Sequence, residues 1–221
     1  MTTQFKDRRE AGQALATRLT NFANRPDVLV LGLPRGGVPV AAEVAKALNA
    51  PLDVFVVRKL GLPYHPELAM GAIASGGARV INRDVVDGLR IPEIVIAAVA
   101  AQEQEELARR HHAYRGDLPS PKVRGKTIIV VDDGIASGST MLVAVKALRQ
   151  LGAGRIVVAA PVIAHSTFFR IHNQADAVAA VIAPEEFHGV GQFYEDFSQT
   201  TDEEVRQLLA LTNHRVTPLA A

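Results

Sequence analysis

Apolar residues in this chain fall into short β-branched runs, set between longer stretches in which they recur at helical spacing. The first helical stripe is Ala11, Leu15, Leu19 and Phe22, behind an Asp7 that can cap a first turn; it predicts a helix from Asp7 to about Phe22. Val28 to Leu33 predicts a buried strand, Val38 to about Leu48 a helix, and Val54 to Val57 a second buried strand ending in Arg58-Lys59. Strand, helix and strand at this spacing form a βαβ unit, whose right-handed crossover implies parallel pairing. Leu68 to Ser75 and Ala78 to Ile81 flank Gly76-Gly77 and predict a hairpin. Pro92 opens a helix to about His112, which ends in Arg109-Arg110-His111-His112, where the helix dipole favours cations. Tyr114 to Gly125, with two prolines and two glycines, reads as a surface connector. A strand at Ile128 to Val131 and a helix from Met141 to Leu151 follow. Beyond them come a strand at Arg155 to Ile163, a short helix near Ser166 to His172, and a strand at Ala177 to Ile182. Thr201 with Glu204 has the spacing of a capping box and predicts a last helix ending near Leu211. This alternation predicts an α/β fold, a doubly wound, mainly parallel sheet flanked by helices, in one domain over residues 1–221.

Composition removes several function classes. A chain of 221 residues that is 48% hydrophobic can bury a sizeable core, and a net charge of +1 lacks the basic excess of a protein that coats nucleic acid or a membrane surface. Neither nucleic acid nor membrane is therefore an expected partner. The absence of cysteine excludes disulfides, thiolate metal sites and a cysteine nucleophile, and fits a reducing compartment. No apolar run reaches membrane-spanning length, and the polar stretch Met1 to Glu10 has no signal-peptide core, so the expected location is cytoplasmic. His111-His112 lacks a third clustered ligand for zinc, and no Gly-x-Ser-x-Gly elbow is present.

The chemistry concentrates in Ile128-Ile129-Val130-Val131-Asp132-Asp133-Gly134-Ile135-Ala136-Ser137-Gly138-Ser139-Thr140. A buried strand delivers two adjacent carboxylates and passes through a small, hydroxyl-rich turn into a helix. Such a turn lets backbone N–H groups close around a phosphate, with Ser137, Ser139 and Thr140 as hydroxyl donors. Ionised Asp132 and Asp133 are acceptors only, suited to two ribose hydroxyls or the water shell of a magnesium ion. Neighbours in a strand point to opposite faces, so both can serve one ligand only if the pleat ends at this point. A second anion-type turn, Pro34-Arg35-Gly36-Gly37, follows the first strand: its glycines allow close backbone approach and Arg35 offers a planar fork. It is neither Gly-x-Gly-x-x-Gly nor a Walker loop. Arg58 and Lys59 are expected to close the second strand on that same carboxyl edge, where open α/β sheets bind ligands.

Together these segments resemble the type I phosphoribosyltransferases. Four apolar residues, Asp132-Asp133 and the small loop match that family's 5-phosphoribosyl-1-pyrophosphate (PRPP) motif, and Pro34-Arg35-Gly36-Gly37 looks like its pyrophosphate loop. Arg58 to Gly77 and the tail Phe197-Ser198-Gln199-Thr200 extend the likeness over nearly the whole chain. The resemblance implies a core of roughly 26–183 and a small hood built from the N-terminal helix and residues 184–221. It implies Mg²⁺, held through substrate and through Asp132 and Asp133, which also take the ribose. It assigns the 5′-phosphate to Gly134, Ala136, Ser137, Gly138, Ser139 and Thr140, and pyrophosphate to Pro34, Arg35, Gly36, Gly37, Arg58 and Lys59. His65 or Glu67 is a candidate for acid–base work, and Phe193 or Tyr194 for stacking on a planar acceptor. The implied reaction moves the phosphoribosyl group of PRPP to a nitrogenous acceptor with release of pyrophosphate, in an enzyme whose relatives are often homodimers. A regulatory protein that only binds PRPP is the rival; a hydrolase or phosphorylase using the same pocket is a third reading. Gly134 stands where the family often has a larger apolar residue, and Ser137 and Ser139 replace the usual Thr and Gly.

Overall fold

A computed structural model describes residues 4–216, with the backbone alone at 66–67 and 213–216. In chain order the elements are α1 (Arg8–Ala16), β1 (Val28–Gly32), α2 (Gly37–Leu48), β2 (Leu52–Val54), β3 (Val57–Leu62), β4 (His65–Ala74), β5 (Ala78–Ile81), α3 (Arg83–Gly88) and α4 (Glu93–Arg115). They continue with β6 (Thr127–Val131), α5 (Ser139–Gln150), β7 (Arg155–Val162), α6 (His165–His172), β8 (Ala177–Ile182) and α7 (Asp202–Val216). Five strands make a parallel sheet in the order β2-β1-β6-β7-β8. From β1 the chain steps to β2 on one side; from β6 onward it steps the other way. The direction of winding therefore reverses between β1 and β6, the place where open α/β sheets bind ligands. Gly32 pairs with Val131, so both strands end at the same level and release their loops side by side.

Period-two alternation places the two cores. Val28, Val30, Ile129, Val131, Val157 and Ala159 face one layer with α1, α2, α4 and α7. Leu29, Leu31, Ile128, Val130, Ile156 and Val158 face the other, with α5 and α6. Because both faces are covered, β1 and β6 read as unbroken apolar runs rather than alternating ones.

Some elements depart from the sequence reading. The expected helix to Phe22 stops at Ala16; its apolar stripe continues in tighter turns, Arg18 N–H to Leu15 C=O and Leu19 N–H to Ala16 C=O, both 3.0 Å, so Leu19 is still buried. Asp7 caps α1 as expected, accepting from Glu10 N–H at 2.8 Å. The run Val54 to Val57 divides. β2 ends at Val54, and Val57 opens β3 in a separate antiparallel sheet, β3-β4-β5. Arg58 and Lys59 therefore lie inside that second sheet and do not close a parallel strand. A run of four apolar residues carries no mark of a change of sheet within it. Helix α3 buries only Val86, too little apolar signal to predict it. The hairpin around Gly76-Gly77, the helix after Pro92 and the Thr201-capped α7 all form, and α7 runs past Leu211 to Val216. Among the described residues, no helix is long and apolar enough to cross a membrane.

The end of α4 is tied to β2 by a bidentate pair, Arg115 Nε to Asp53 Oδ1 at 2.7 Å and Nη2 to Oδ2 at 2.8 Å, with both side chains largely out of water. Removing one partner leaves a charge with little solvent, so Arg115→Met should destabilise by about 3 kcal/mol in chemical denaturation. A loss under about 1 kcal/mol would show that the pair is solvated in solution.

Candidate functional site

The site is assembled where the loops after β1 and β6 meet. β6 ends at Val131, so Asp132 and Asp133 lie just beyond the pleat, as their joint use of one ligand requires. Asp132 Oδ1 accepts the Asp133 N–H at 2.9 Å. Burial pushes the Asp132 carboxyl well above the usual carboxylate range, and the adjacent Asp133 adds to this while Arg8 opposes it. The turn from β1 packs directly on the acidic pair. A Cβ on Gly37 would lie 2.6 Å from the Val131 carbonyl oxygen and 2.9 Å from Asp132 Cα, and one on Gly36 would overlap the Asp133 carboxylate. At Gly37 a side chain would meet backbone, and at Gly36 it would displace the Asp133 carboxylate. Arg35, joined to Pro34 by a cis peptide, reaches toward the start of α7, where its Nη1 is 3.8 Å from Asp202 Oδ1.

Beyond the acidic pair, Gly134 to Met141 and Val190 line a cavity of about 150 Å³ that also touches Asp132. Gly138 takes a left-handed φ of +68° and caps α5; a side chain there would be strained and would press on Thr167 Cγ2, 2.7 Å from the Cβ position. Among the described residues, the backbone N–H groups of Ala136, Ser137, Gly138 and Thr140 donate to no protein acceptor. Clustered free donors at a helix N-terminus, around a small cavity, are the physical requirement for holding a phosphate. The loop is braced from α6, with Thr167 Oγ1 donating to the Ala136 carbonyl at 2.6 Å and Arg170 to the Ser137 carbonyl. Ser137 and Ser139 hydroxyls lie 3.1 Å apart.

The terminal segments close over Asp133. Backbone hydrogen bonds join them: Phe5 N–H to Phe193 C=O and Glu195 N–H to Phe5 C=O, each 2.8 Å. Tyr194 donates its hydroxyl to the Asp133 carbonyl at 2.6 Å, and burial followed by the Asp133 charge raises its pKa. Arg8 donates from Nε to Asp133 Oδ2 at 2.8 Å, with its guanidinium 4.1 Å from the centre of the Phe197 ring.

Several expected roles change. Phe193 and Tyr194 are 0% and 3% exposed and pack with Phe5, Ala11 and Val162 in a satellite core. Neither can stack on an acceptor, because their ring faces are already covered. Arg58 is bound to Glu103 of α4, Nε to Oε2 at 2.7 Å, as a brace between β3 and α4. Arg58 is thus held by Glu103, and Arg58 and Lys59 both lie within the antiparallel sheet rather than at the end of a parallel strand. His65 is exposed at the β3–β4 turn and has no described contact with the acidic pair; the Glu67 side chain lies outside the described residues. Sequence reading missed Arg8, Thr167 and Arg170. Each sits in an ordinary helical stretch, and only the tertiary fold brings it to a motif.

Asp132 and Asp133 offer oxygen donors alone, and among the described residues no group of three His, Cys, Asp or Glu is placed to hold a metal. That set fits a hard cation held by one or two carboxylates and completed by water and substrate oxygens, as magnesium prefers.

Comparison with known proteins follows the same lines. The family model for the phosphoribosyl transferase domain matches residues 1–197. A Mycobacterium tuberculosis protein named "Putative phosphoribosyl transferase" is 46% identical over 201 residues, which are 91% of this chain and 45% of that protein. The chain thus spans less than half the length of that relative. The crystal structure of TT1426 from Thermus thermophilus superposes with a TM-score of 0.84 at 39% identity, covering 93% of this chain and 97% of that one. An amidophosphoribosyltransferase of Staphylococcus aureus is 32% identical over 168 residues, 73% of this chain and 32% of its own length.

The packing of the two loops makes a stability prediction. Gly37→Ala forces a Cβ against backbone and should destabilise by about 1–3 kcal/mol. Gly88→Ala, in α3 with nothing within 4 Å of the added carbon, should be neutral or stabilise by up to about 1 kcal/mol. Equal melting temperatures for the two variants would mean that the loops do not meet in this way.

Proposed function

Since the chain belongs to the phosphoribosyl transferase domain family, we propose that it is a phosphoribosyltransferase that uses Mg²⁺ and PRPP and passes the 5-phosphoribosyl group to a nitrogenous acceptor, releasing pyrophosphate. The observation that carries this reading is the cluster of N–H groups of Ala136, Ser137, Gly138 and Thr140, which have no partner among the described residues, around a cavity that Asp132 also lines, with Asp133 next to it in the chain. A phosphate nest and a diol-reading acidic pair, next to each other on one sheet edge, match the 5-phosphate and ribose of one ligand.

In this reading the 5′-phosphate sits on the α5 N-terminus, where the backbone donors and the helix dipole favour an anion. Asp132 and Asp133 accept from the ribose hydroxyls and fix the sugar ring. The Pro34-Arg35-Gly36-Gly37 turn, held against the acidic pair by its glycines, faces the leaving group, and Arg35 meets the charge that gathers on departing pyrophosphate. Magnesium, when bound through substrate oxygens, water and the two aspartates, neutralises diphosphate charge. A nitrogen lone pair attacks C1 of the sugar as the bond to pyrophosphate breaks, and the chain contributes orientation and charge compensation with no covalent nucleophile. The acceptor's planar partner is not Phe193 or Tyr194; Phe197, which is 38% exposed beside Arg8, is the aromatic of that tail left at the surface.

The direct test is pyrophosphate release from Mg-PRPP across a panel of nitrogenous bases and amines. Turnover with one acceptor class is the expected result; tight PRPP binding with no release for any acceptor would instead identify a PRPP-binding regulator. For the phosphate nest, Gly138→Val should abolish measurable PRPP binding in calorimetric titration. Ser139→Ala should weaken binding only by a hydrogen bond's worth, about 0.5–1.5 kcal/mol. Equal affinities of the two variants would remove the backbone nest from the account.

A further inference from the structure

Arg8 belongs to no motif, yet it is the cation on the acidic pair. Its Nε donates to Asp133 Oδ2 at 2.8 Å and its Nη1 to the Ser198 carbonyl at 2.7 Å, while its guanidinium lies over Phe197. Arg8 and Asp133 side chains are 12% and 13% exposed. Gly36 closes the other side: a Cβ there would overlap the Asp133 carboxylate and stand 3.3 Å from Arg8 Nε. One side chain at the start of α1 thus touches the acidic loop and the C-terminal tail, at the edge of the pyrophosphate-type turn.

Holding the termini together does not require it. The backbone bonds between Phe5 and residues 193 and 195, the bond from Asp196 N–H to the Lys6 carbonyl at 2.9 Å, and the Phe5–Tyr194 ring contact already join the two segments. The Asp7 cap and buried Leu15 anchor α1. A largely buried ion pair is also weak evidence for stabilisation, since desolvation offsets much of its attraction. What Arg8 supplies is a fixed direction for the Asp133 carboxylate and a positive charge beside two adjacent negative ones, at a place where an anionic ligand is to bind.

We propose that Arg8 is a positioning residue of the transfer site. It aims the Asp133 carboxylate at the ribose hydroxyls and offsets its charge, so that a polyanionic sugar phosphate is accepted beside the acidic pair. The inference rests on the proposed reading of the site as one that binds PRPP.

A double-mutant cycle on ligand binding tests it, with Arg8→Ala, Asp133→Asn and the combined variant titrated with PRPP and with ribose 5-phosphate in magnesium buffer. Arg8→Ala should raise Kd for both ligands about tenfold, about 1.4 kcal/mol, because both carry the ribose diol. In the Asp133→Asn background the same change should alter Kd less than about twofold, since the residue it positions is already neutral. Arg8→Lys, which keeps the charge and loses the fork, should fall between wild type and Arg8→Ala. If Arg8→Ala does not fold, Arg8→Gln takes its place in the cycle. Wild-type affinity in Arg8→Ala, or the same fold loss in both backgrounds, would overturn the positioning role and leave the PRPP reading intact. Failure of the wild-type protein to bind either ligand would overturn that reading, and this inference with it.

Discussion

The seating of Gly36 and Gly37 on Asp132 and Asp133 is the constraint on which the site depends. Two strands ending at one level bring the loops close, and the absence of two side chains lets them touch. A parallel sheet needs a crossover between neighbouring strands, and β1 and β6 are neighbours far apart in sequence. Everything between them, from α2 to the connector after α4, is therefore a long excursion whose return must land in register. The Arg115–Asp53 pair and the packing of α4 on the antiparallel sheet help to fix that return. The site's geometry is thus a property of the whole α/β layer structure, expressed at a point where two backbones approach within about 3 Å of a would-be Cβ.

Charge is the second organising feature. Two carboxylates on consecutive residues, one of them desolvated, are unstable as neighbours unless cations or hydrogen bonds offset them. The fold supplies Arg8 from the first helix, and on the far side the N–H groups of Ala136, Ser137, Gly138 and Thr140 have no partner among the described residues. Phe5, Phe193 and Tyr194 make an apolar satellite under this polar surface, and Tyr194 turns its one hydroxyl onto the Asp133 backbone. Phe193 and Tyr194 are therefore support for the acidic loop.

Where local chemistry dictated structure, the sequence was readable. Asp132-Asp133 after an apolar run, the small loop that follows and the Thr201 cap all appear where their side-chain chemistry places them. Arg58 shows what is lost. Its position after an apolar run is the same text whether the strand ends there or a new sheet begins, and only the pairing of Val57 with Ala74 decides. Phe193 and Tyr194 failed as acceptor residues for a related reason: an aromatic in a polar tail reads the same whether it faces a ligand or Phe5. Arg8 was invisible because its partner lies 125 residues away, and a helix-opening arginine otherwise looks like any solvated charge.

One ligand is expected to span the nest after β6, the acidic pair and the turn after β1. A crystal structure of the protein with magnesium and a non-reacting PRPP analogue tests it most directly. The 5′-phosphate should lie on the amides of Ala136 to Thr140, the ribose hydroxyls on Asp132 and Asp133, and the diphosphate at Gly36-Gly37 and Arg35. A ligand bound with its phosphates elsewhere, or a 5′-phosphate held by side chains with the loop amides unused, would contradict the account.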